Sequence, residues 1–235
     1  MTALFDVPAN PSHPAKYTDA LLLTMAKMLK GRRRIVDPFG GTGKIFLLEH
    51  WLGSGVEIEA VELEPEFAAI NPRTRVGNAL HLPWSDNHFD AVCTSPTYGN
   101  RMADTTFNSS SGNTWQTYTC KIGRRLHPDN SGAMDWGDKY RTFHVNAWTE
   151  ARRVLSVGGA FVLNIKDHYR TIKTGEPTEL QPVTKWHIDT LQALGFRMLQ
   201  HERINTPSMR YGRNADKRVE YESVILFELQ SKEVA

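Results

Sequence analysis

Two short stretches hold the residues whose types and spacing can do chemistry. One is Asp37-Pro38-Phe39-Gly40-Gly41-Thr42-Gly43 and the other is Thr94-Ser95-Pro96-Thr97-Tyr98-Gly99. The first reads as a strand running into a glycine-rich turn and then a helix. Glycines let the backbone pass close to a ligand, and the following helix points its free amides back into the gap. The second reads as a strand that ends in a stiff, aromatic-tipped turn. One stretch suits a nucleotide-like cofactor, and the other suits a planar base.

Spacing narrows the cofactor. A dinucleotide site wants G-x-G-x-x-G, and a P-loop wants G-x-x-x-x-G-K-[ST]. Here Gly40, Gly41 and Gly43 are followed by Lys44-Ile45, so a phosphate-gripping P-loop is disfavoured. The next strand ends at Glu62-Leu63, with Glu64 behind. A carboxylate there can accept both hydroxyls of a ribose, although acids ahead of Pro65 also suit a solvated helix start. Asn78-Ala79 falls where a third strand ends and can bond an adenine edge or simply make a turn.

These residues need a scaffold, and the hydrophobic pattern predicts one. Leu21, Leu22, Met25, Met28 and Leu29 recur at helical spacing over residues 17–30, after a cap at Thr18 or Asp19. Strands are expected at Ile35 to Asp37, Val56 to Glu62 and Phe89 to Thr94, with a short edge strand or turn at Val76 to Leu80. Helices are expected at Ile45 to Leu52 and from Pro65 through Ala68. Such alternation argues for a parallel sheet covered on both faces. It stops between Gly99 and about Lys139, a span rich in loop residues that also holds Phe107, Trp115, Tyr118 and Trp136, with Tyr140 at its end. Long aperiodic spans inside a domain are usually functional or disordered, and the aromatic content argues against plain disorder. The span reads as an inserted recognition or lid segment. Regularity resumes with a helix from Arg141, closed by Gly158-Gly159, and a strand from Ala160 to Ile165. A helix from Val183 to Leu194 follows, then two strands, Phe196 to Ile204 and Tyr221 to Leu229, able to form an antiparallel hairpin.

Composition sets the outer limits. The 235 residues are 40% hydrophobic and 23% charged, with a formal net charge of +2, as in an ordinary soluble domain. Any attraction to a polyanion must therefore be local rather than global. The expected organisation is one domain over 1–235 with the insertion at about 99–140. Cys93 and Cys120 form neither a disulfide framework nor a metal cluster, and Cys93 sits in an apolar run as a small buried side chain. His13, His81, His88 and His127 are scattered, so no metal is expected. The N-terminus lacks a secretory pattern and no apolar run is of spanning length, which makes a cytoplasmic location, without membrane association, the expectation.

With these motifs in place, the layout resembles class I S-adenosylmethionine-dependent methyltransferases, and its Asp-Pro-Phe-x-Gly-x-Gly form resembles the DNA amino-methyltransferases. The resemblance implies an α/β, Rossmann-like fold: a seven-stranded, mostly parallel sheet with one antiparallel strand. It implies S-adenosyl-L-methionine held by Asp37 to Gly43, Glu62, Leu63, Asn78 and Ala79. Ser12-His13-Pro14-Ala15-Lys16-Tyr17 is similar to a family segment that helps hold the methionine end, so His13 and Pro14 join the cofactor set, although Lys16-Tyr17 departs from the usual Lys-Pro.

The family's second signature is (Asp/Asn/Ser)-Pro-Pro-(Tyr/Phe/Trp). Ser95, Pro96 and Tyr98 match it, and Thr97 replaces the second proline. An exocyclic amino nitrogen is a poor nucleophile because its lone pair is delocalised into the ring. Accepting its hydrogens at Ser95 Oγ and the Pro96 carbonyl pushes it toward a tetrahedral geometry, while Tyr98 stacks on an extruded base. Serine at the first position favours cytosine N4 within the family, ahead of adenine N6. Methylation at cytosine C5 fits poorly, because it needs a thiolate in a Pro-Cys turn that this chain lacks.

Further stretches, including Arg101-Met102-Ala103-Asp104, Leu163 to His168 and Met209 to Asn214, resemble small DNA methylases of phage and actinobacterial type. Arg101, Lys121, Arg124 and Arg125 lie among Trp115, Tyr118 and Trp136, and Arg210 and Arg213 lie in a later loop. Interleaved basic and aromatic residues suit phosphate neutralisation with base stacking, though either loop also reads as a solvated surface. Asn164 and Asp167 are expected to shape the base pocket. DNA is the expected partner. An RNA amino-methyltransferase and an inert cofactor-fold nucleic-acid binder are the alternatives.

Overall fold

The computed structural model describes residues 17–99, 118, 122, 124–170, 179–206 and 219–232. Its strands in chain order are β1 (Arg34–Asp37), β2 (Glu57–Glu62), β3 (Thr74–Val76), β4 (Phe89–Thr94), β5 (Leu155–Ile165), β6 (His168–Arg170), β7 (Glu179–Gln181), β8 (Phe196–Asn205) and β9 (Tyr221–Leu229). Seven of them form one sheet in the order β3-β2-β1-β4-β5-β9-β8, and β6 pairs with β7 separately. Every pairing from β3 across to β5 is parallel. Only β9 runs against both its neighbours, β5 and β8. The sheet has the expected form.

Parallel strands covered on both faces should be apolar on both, and the central strands are. Ile35, Val36, Ala91, Val92 and Cys93 are all fully buried. Successive side chains point to opposite faces. Ile35, Ala91 and Cys93 pack with Leu21, Leu22 and Met25 of helix α1 (Asp19–Met28) and with Ile45 and Leu48. Val36 and Val92 pack on the other face with the residues that follow β4. There α4 (Asp138–Val154) contributes Tyr140, Ala147 and Trp148, and α5 (Val183–Ala193) contributes Val183 and Leu191. Two further helices, α2 (Glu49–Leu52) and α3 (Pro65–Ala68), precede them in the chain. Thr18 caps α1, its Oγ1 accepting from the Leu21 amide at 3.3 Å.

Several boundaries differ from expectation. The helix expected over Ile45 to Leu52 opens as a 3₁₀ helix, Lys44–Leu48, before α2. The third strand is Thr74–Val76, and Asn78 instead turns the chain through a bridge to His81. Gly158-Gly159 do not close a helix. Leu155 is already extended and fully buried, so α4 passes directly into β5. The two glycines sit where the β4–β5 register shifts, and Gly158 adopts φ +77°. The β6–β7 pair was not expected, because three-residue strands carry too little alternation to register in the sequence.

Around the insertion, the Trp136 amide donates to the Gly99 carbonyl at 2.9 Å. The two ends of the excursion therefore meet at the end of β4. At the late hairpin, the Thr206 amide donates to the Glu220 carbonyl at 2.8 Å and closes the loop at its base.

Candidate functional site

The sheet delivers its polar residues to one edge. Asp37 ends β1, Glu62 ends β2, Thr94 ends β4 and Asn164 lies at the end of β5. β9 runs the other way, so its first turn of chain, with Glu222, reaches the same edge. Ligands of open α/β sheets bind outside the carboxyl ends of the strands, at the point where strand order reverses. Here the order reverses between β1 and β4.

The glycine loop lies flat on β2. The Gly40 amide donates to the Val61 carbonyl at 2.8 Å. A Cβ at Gly40 would sit 2.8 Å from Ala60 Cβ. Gly43 has φ +77°, and a Cβ there would meet Asn71 at 2.7 Å. Close packing on β2, rather than approach to a ligand alone, is what requires Gly40.

One side chain joins the two sequence motifs. The buried Asp37 carboxylate accepts from the Phe39 amide at 2.9 Å and from Thr94 Oγ1 at 2.6 Å. It thereby fixes the glycine loop to the strand that carries Ser95. Burial pushes the Asp37 carboxyl up to about 7. Glu62 accepts from the Gly41 and Glu64 amides, each at 2.9 Å, and burial pushes it up to about 7 as well. Neither carboxylate has a basic partner among the described residues. Hydroxyl donors and a cation would complete this arrangement.

Glu64 has a different task. Fully buried, it accepts from the His127 amide and Asn130 Nδ2, each at 2.8 Å, and pairs with Arg124 at 2.8 Å. The end of the insertion is thus tied to the segment between β2 and α3. Asn78 takes part in the same contact. Its Nδ2 donates to Asp129 at 3.1 Å, and its Oδ1 accepts from the Leu80 amide at 3.0 Å. Leu63 and Ala79 lie in these two turns, Ala79 buried.

The turn after β4 is held from two sides. On one side Ser95 Oγ lies 3.1 Å from the Tyr98 hydroxyl, and Tyr98 donates to Glu222 Oε2 at 3.1 Å. Asn164 Nδ2 lies within reach of Ser95 Oγ (3.1 Å), the Tyr98 hydroxyl (3.2 Å) and Glu222 Oε2 (2.9 Å). On the other side a directed chain runs through the core. Trp148 Nε1 donates to His187 Nδ1 at 3.0 Å, which leaves the His187 proton on Nε2. That N–H faces the Tyr140 hydroxyl at 3.0 Å, and Tyr140 donates to the Thr97 carbonyl at 2.7 Å. Trp148, His187 and Tyr140 are fully buried, and burial holds His187 well below its ordinary value, so the ring stays neutral. Thr97 Oγ1 also meets Ser131 Oγ at 2.7 Å. Pro96 is buried, while Ser95, Thr97 and Tyr98 are half-buried.

The structure thus brings together Asp37, Pro38, Phe39, Gly40, Gly41, Thr42, Gly43, Glu62 and the turn Ser95 to Tyr98. His13, Pro14, Arg101, Lys121, Arg210 and Arg213 lie outside the described residues. Arg125 is exposed. The Arg124 guanidinium is engaged by Glu64 and by Glu66, the latter at 2.6 Å, rather than left open. Two aromatic residues of the insertion act as pins. Tyr118 is buried edge-on against Phe67, and Trp136 packs on Tyr140 and Trp186. Asp167 accepts from the Thr184 amide at 2.7 Å in the first turn of α5, which spends one of its oxygens on the helix end.

Residues to which sequence reasoning gave no role of their own are Tyr17, Ser131, Tyr140, His187 and Glu222. The departure at Tyr17 carried a signal. Burial and the neighbouring Asp37, Cys93, Tyr98 and Glu222 raise its phenol well above the ordinary range. Glu222 carried one too, as an acid at the head of the apolar strand Ser223-Val224-Ile225.

No protein-family model and no curated protein matches the chain. Solved structures do. A [4+2]-cyclase, SpnF, is 14% identical over 94% of this chain and 86% of that one, with a TM-score of 0.53. TrmN from Thermus thermophilus is 15% identical with a TM-score of 0.54; 95% of this chain matches about half, 51%, of that one. A SAM-dependent methyltransferase from Methanosarcina mazei is 14% identical over 88% of this chain and 97% of that one, with a TM-score of 0.55. What the chain shares with them is the class I methyltransferase fold. A cyclase among them shows that the fold does not choose the reaction, which must be argued from the site.

Proposed function

We propose that the chain is an S-adenosylmethionine-dependent methyltransferase acting on an exocyclic amino group of a flipped DNA base, with cytosine N4 the favoured target and adenine N6 the other. The observation that carries this reading is the turn Ser95-Pro96-Thr97-Tyr98, joined through Thr94 and Asp37 to the glycine loop.

A buried carboxylate, Asp37, and a half-buried one, Glu62, neither with a basic partner among the described residues, fit the proposed cofactor. Glu62 would accept the ribose hydroxyls, and the backbone of Asp37 to Gly43 would lie along the amino-acid end. Asn78 and Ala79 would border the adenine. When bound, S-adenosylmethionine supplies an electrophilic methyl group on a sulfonium. The chain's own residues do the rest. Ser95 Oγ and the Pro96 carbonyl accept the two amino hydrogens and localise the nitrogen lone pair. The Thr97 carbonyl is committed to Tyr140, which fixes the turn that presents both acceptors. The Tyr98 ring, tethered at its hydroxyl, is oriented before a base arrives, and base–aromatic stacking is worth about 1–3 kcal/mol.

DNA as the partner is supported by the basic residues of the two loops, Arg101, Lys121, Arg125, Arg210 and Arg213. The test is incubation with labelled methyl donor and either duplex DNA or RNA, followed by nucleoside analysis. Label in N4-methylcytosine or N6-methyladenine of DNA is the expected result. Label confined to RNA, or no label with DNA still bound, would replace the DNA reading by one of its two alternatives.

A further inference from the structure

Glu222 is a buried acid, 5% exposed, that the methyl-transfer chemistry above does not use. Its Oε2 receives the Tyr98 hydroxyl at 3.1 Å, and the Tyr98 oxygen lies 3.1 Å from Ser95 Oγ. Because Tyr98 spends its one proton on the carboxylate, the Ser95–Tyr98 contact runs with Ser95 as donor. The order is therefore Ser95 O–H to Tyr98 O–H to Glu222. Asn164, 1% exposed, braces all three oxygens with its Nδ2, while its buried Oδ1 has no partner among the described residues. Among the described residues, the charged and titratable groups that face Glu222 are Lys166, whose Nζ is 3.9 Å from Oε1, Tyr98, and Tyr17.

We infer that Ser95 and Tyr98 form a proton relay and that Glu222 is its terminal acceptor. The inference rests on the reading of Ser95 as the acceptor of an amino hydrogen. As the N–C bond forms, the S–C bond breaks and its electron pair stays on sulfur. The nitrogen becomes cationic and must lose one proton. That proton passes to Ser95 Oγ, the Ser95 proton passes to Tyr98, and the Tyr98 proton passes to Glu222, which ends as a neutral carboxylic acid. Ser95 and Tyr98 end as they began, and the product nitrogen is neutral. Tyr98 does not need to exist as an anion, since it receives one proton as it gives up another. Burial and Glu222 itself hold its phenol well above the ordinary range, which suits a concerted step.

The test compares wild type with Glu222→Gln, Glu222→Asp and Tyr98→Phe. Single-turnover methyl transfer to genomic DNA from a methylation-free host is measured across pH, together with S-adenosylhomocysteine affinity and thermal melting. Positioned acid–base groups contribute about 10²–10⁴-fold. Glu222→Gln and Tyr98→Phe are expected to slow transfer by about 10²-fold or more, with the double variant no slower than either, and with cofactor-product affinity preserved. With cofactor saturating at every pH, the rate profile of Glu222→Gln should depart from that of wild type, and Glu222→Asp should restore it in part. A readout independent of activity is the slowly exchanging Tyr98 hydroxyl proton in NMR, identified by its loss in Tyr98→Phe. It should move upfield in Glu222→Gln, where a neutral amide replaces the carboxylate. Unchanged transfer by folded Glu222→Gln overturns the relay and leaves the assignment standing. Slowed transfer with a wild-type pH profile and an unmoved resonance also overturns the relay. If Glu222→Gln does not fold, Tyr98→Phe transferring at the wild-type rate overturns it equally. A wild type that transfers no methyl group to DNA at any pH overturns the assignment and the relay together.

Discussion

Replacing Ser95 by alanine removes the side-chain acceptor and leaves the Pro96 carbonyl and the cofactor loop untouched. Turnover should fall by about 10²-fold while S-adenosylhomocysteine affinity, measured by calorimetry, stays within about two-fold of wild type. Glu62 makes a different prediction, set by its displaced titration. Its folded carboxyl is raised to about 7 by burial, against an ordinary value near 4.5, and Asp37 behaves alike. Between those two pH values the folded chain keeps protons that the unfolded chain has lost, so stability falls as pH rises through this window and levels off above about 7. The ligand-free protein should therefore melt at a lower temperature at pH 8 than at pH 5 on account of these two groups, and Glu62→Gln should remove part of that difference. Ribose hydroxyls donate to the ionised form. Cofactor binding should then tighten from pH 6 to pH 8 in wild type and lose part of that dependence in Glu62→Gln, Asp37 keeping the rest. The same pair of acids shows how far sequence reaches. Glu62 and Glu64 are chemically alike two residues apart, and only the fold separates one facing the glycine loop from one buried under the insertion.

At the scale of elements, the chain Trp148–His187–Tyr140–Thr97 links two helices to the turn that follows β4. Tyr140→Phe leaves the buried His187 N–H unpaired, which should cost about 1–3 kcal/mol, and frees the half-buried Thr97 carbonyl, read together by urea unfolding. Its effect on turnover should exceed its effect on KM, because the carbonyl it frees belongs to the turn and not to the cofactor loop. Thr97 stands where the DNA amino-methyltransferase motif that this turn resembles has a second proline, and this chain ties the same turn to its core through Tyr140. Nothing in sequence spacing announces it: the polar atoms of Tyr140, Trp148 and His187 meet only once both helices cover the sheet. By contrast, β1, β2, β4, the α1 cap and the Pro65 start were legible, because each rests on a local pattern or a single capping residue. The end of α4 was not, since long-range burial of Leu155 overrides the local glycine signal.

For the whole molecule, one sheet edge gathers the ends of β1, β2, β4 and β5 with the head of β9, and the insertion closes on Gly99 beside them. A net charge of +2 gives no global pull on a polyanion, so the proposed DNA binding rests on local basic residues such as those of the loops. Arg213→Ala should weaken binding to DNA of any sequence alike and reduce the slope of log K against log salt by about 1 per lost phosphate contact, measured by fluorescence anisotropy. The most direct trial of DNA amino-methylation is expression of the chain in a methylation-free host, followed by digestion of genomic DNA to nucleosides and mass spectrometry. The expected product is N4-methylcytosine, with N6-methyladenine the other outcome compatible with the Ser95 turn, and it should vanish in Ser95→Ala. Genomic DNA carrying neither modified base, from cells that hold folded protein, would contradict it.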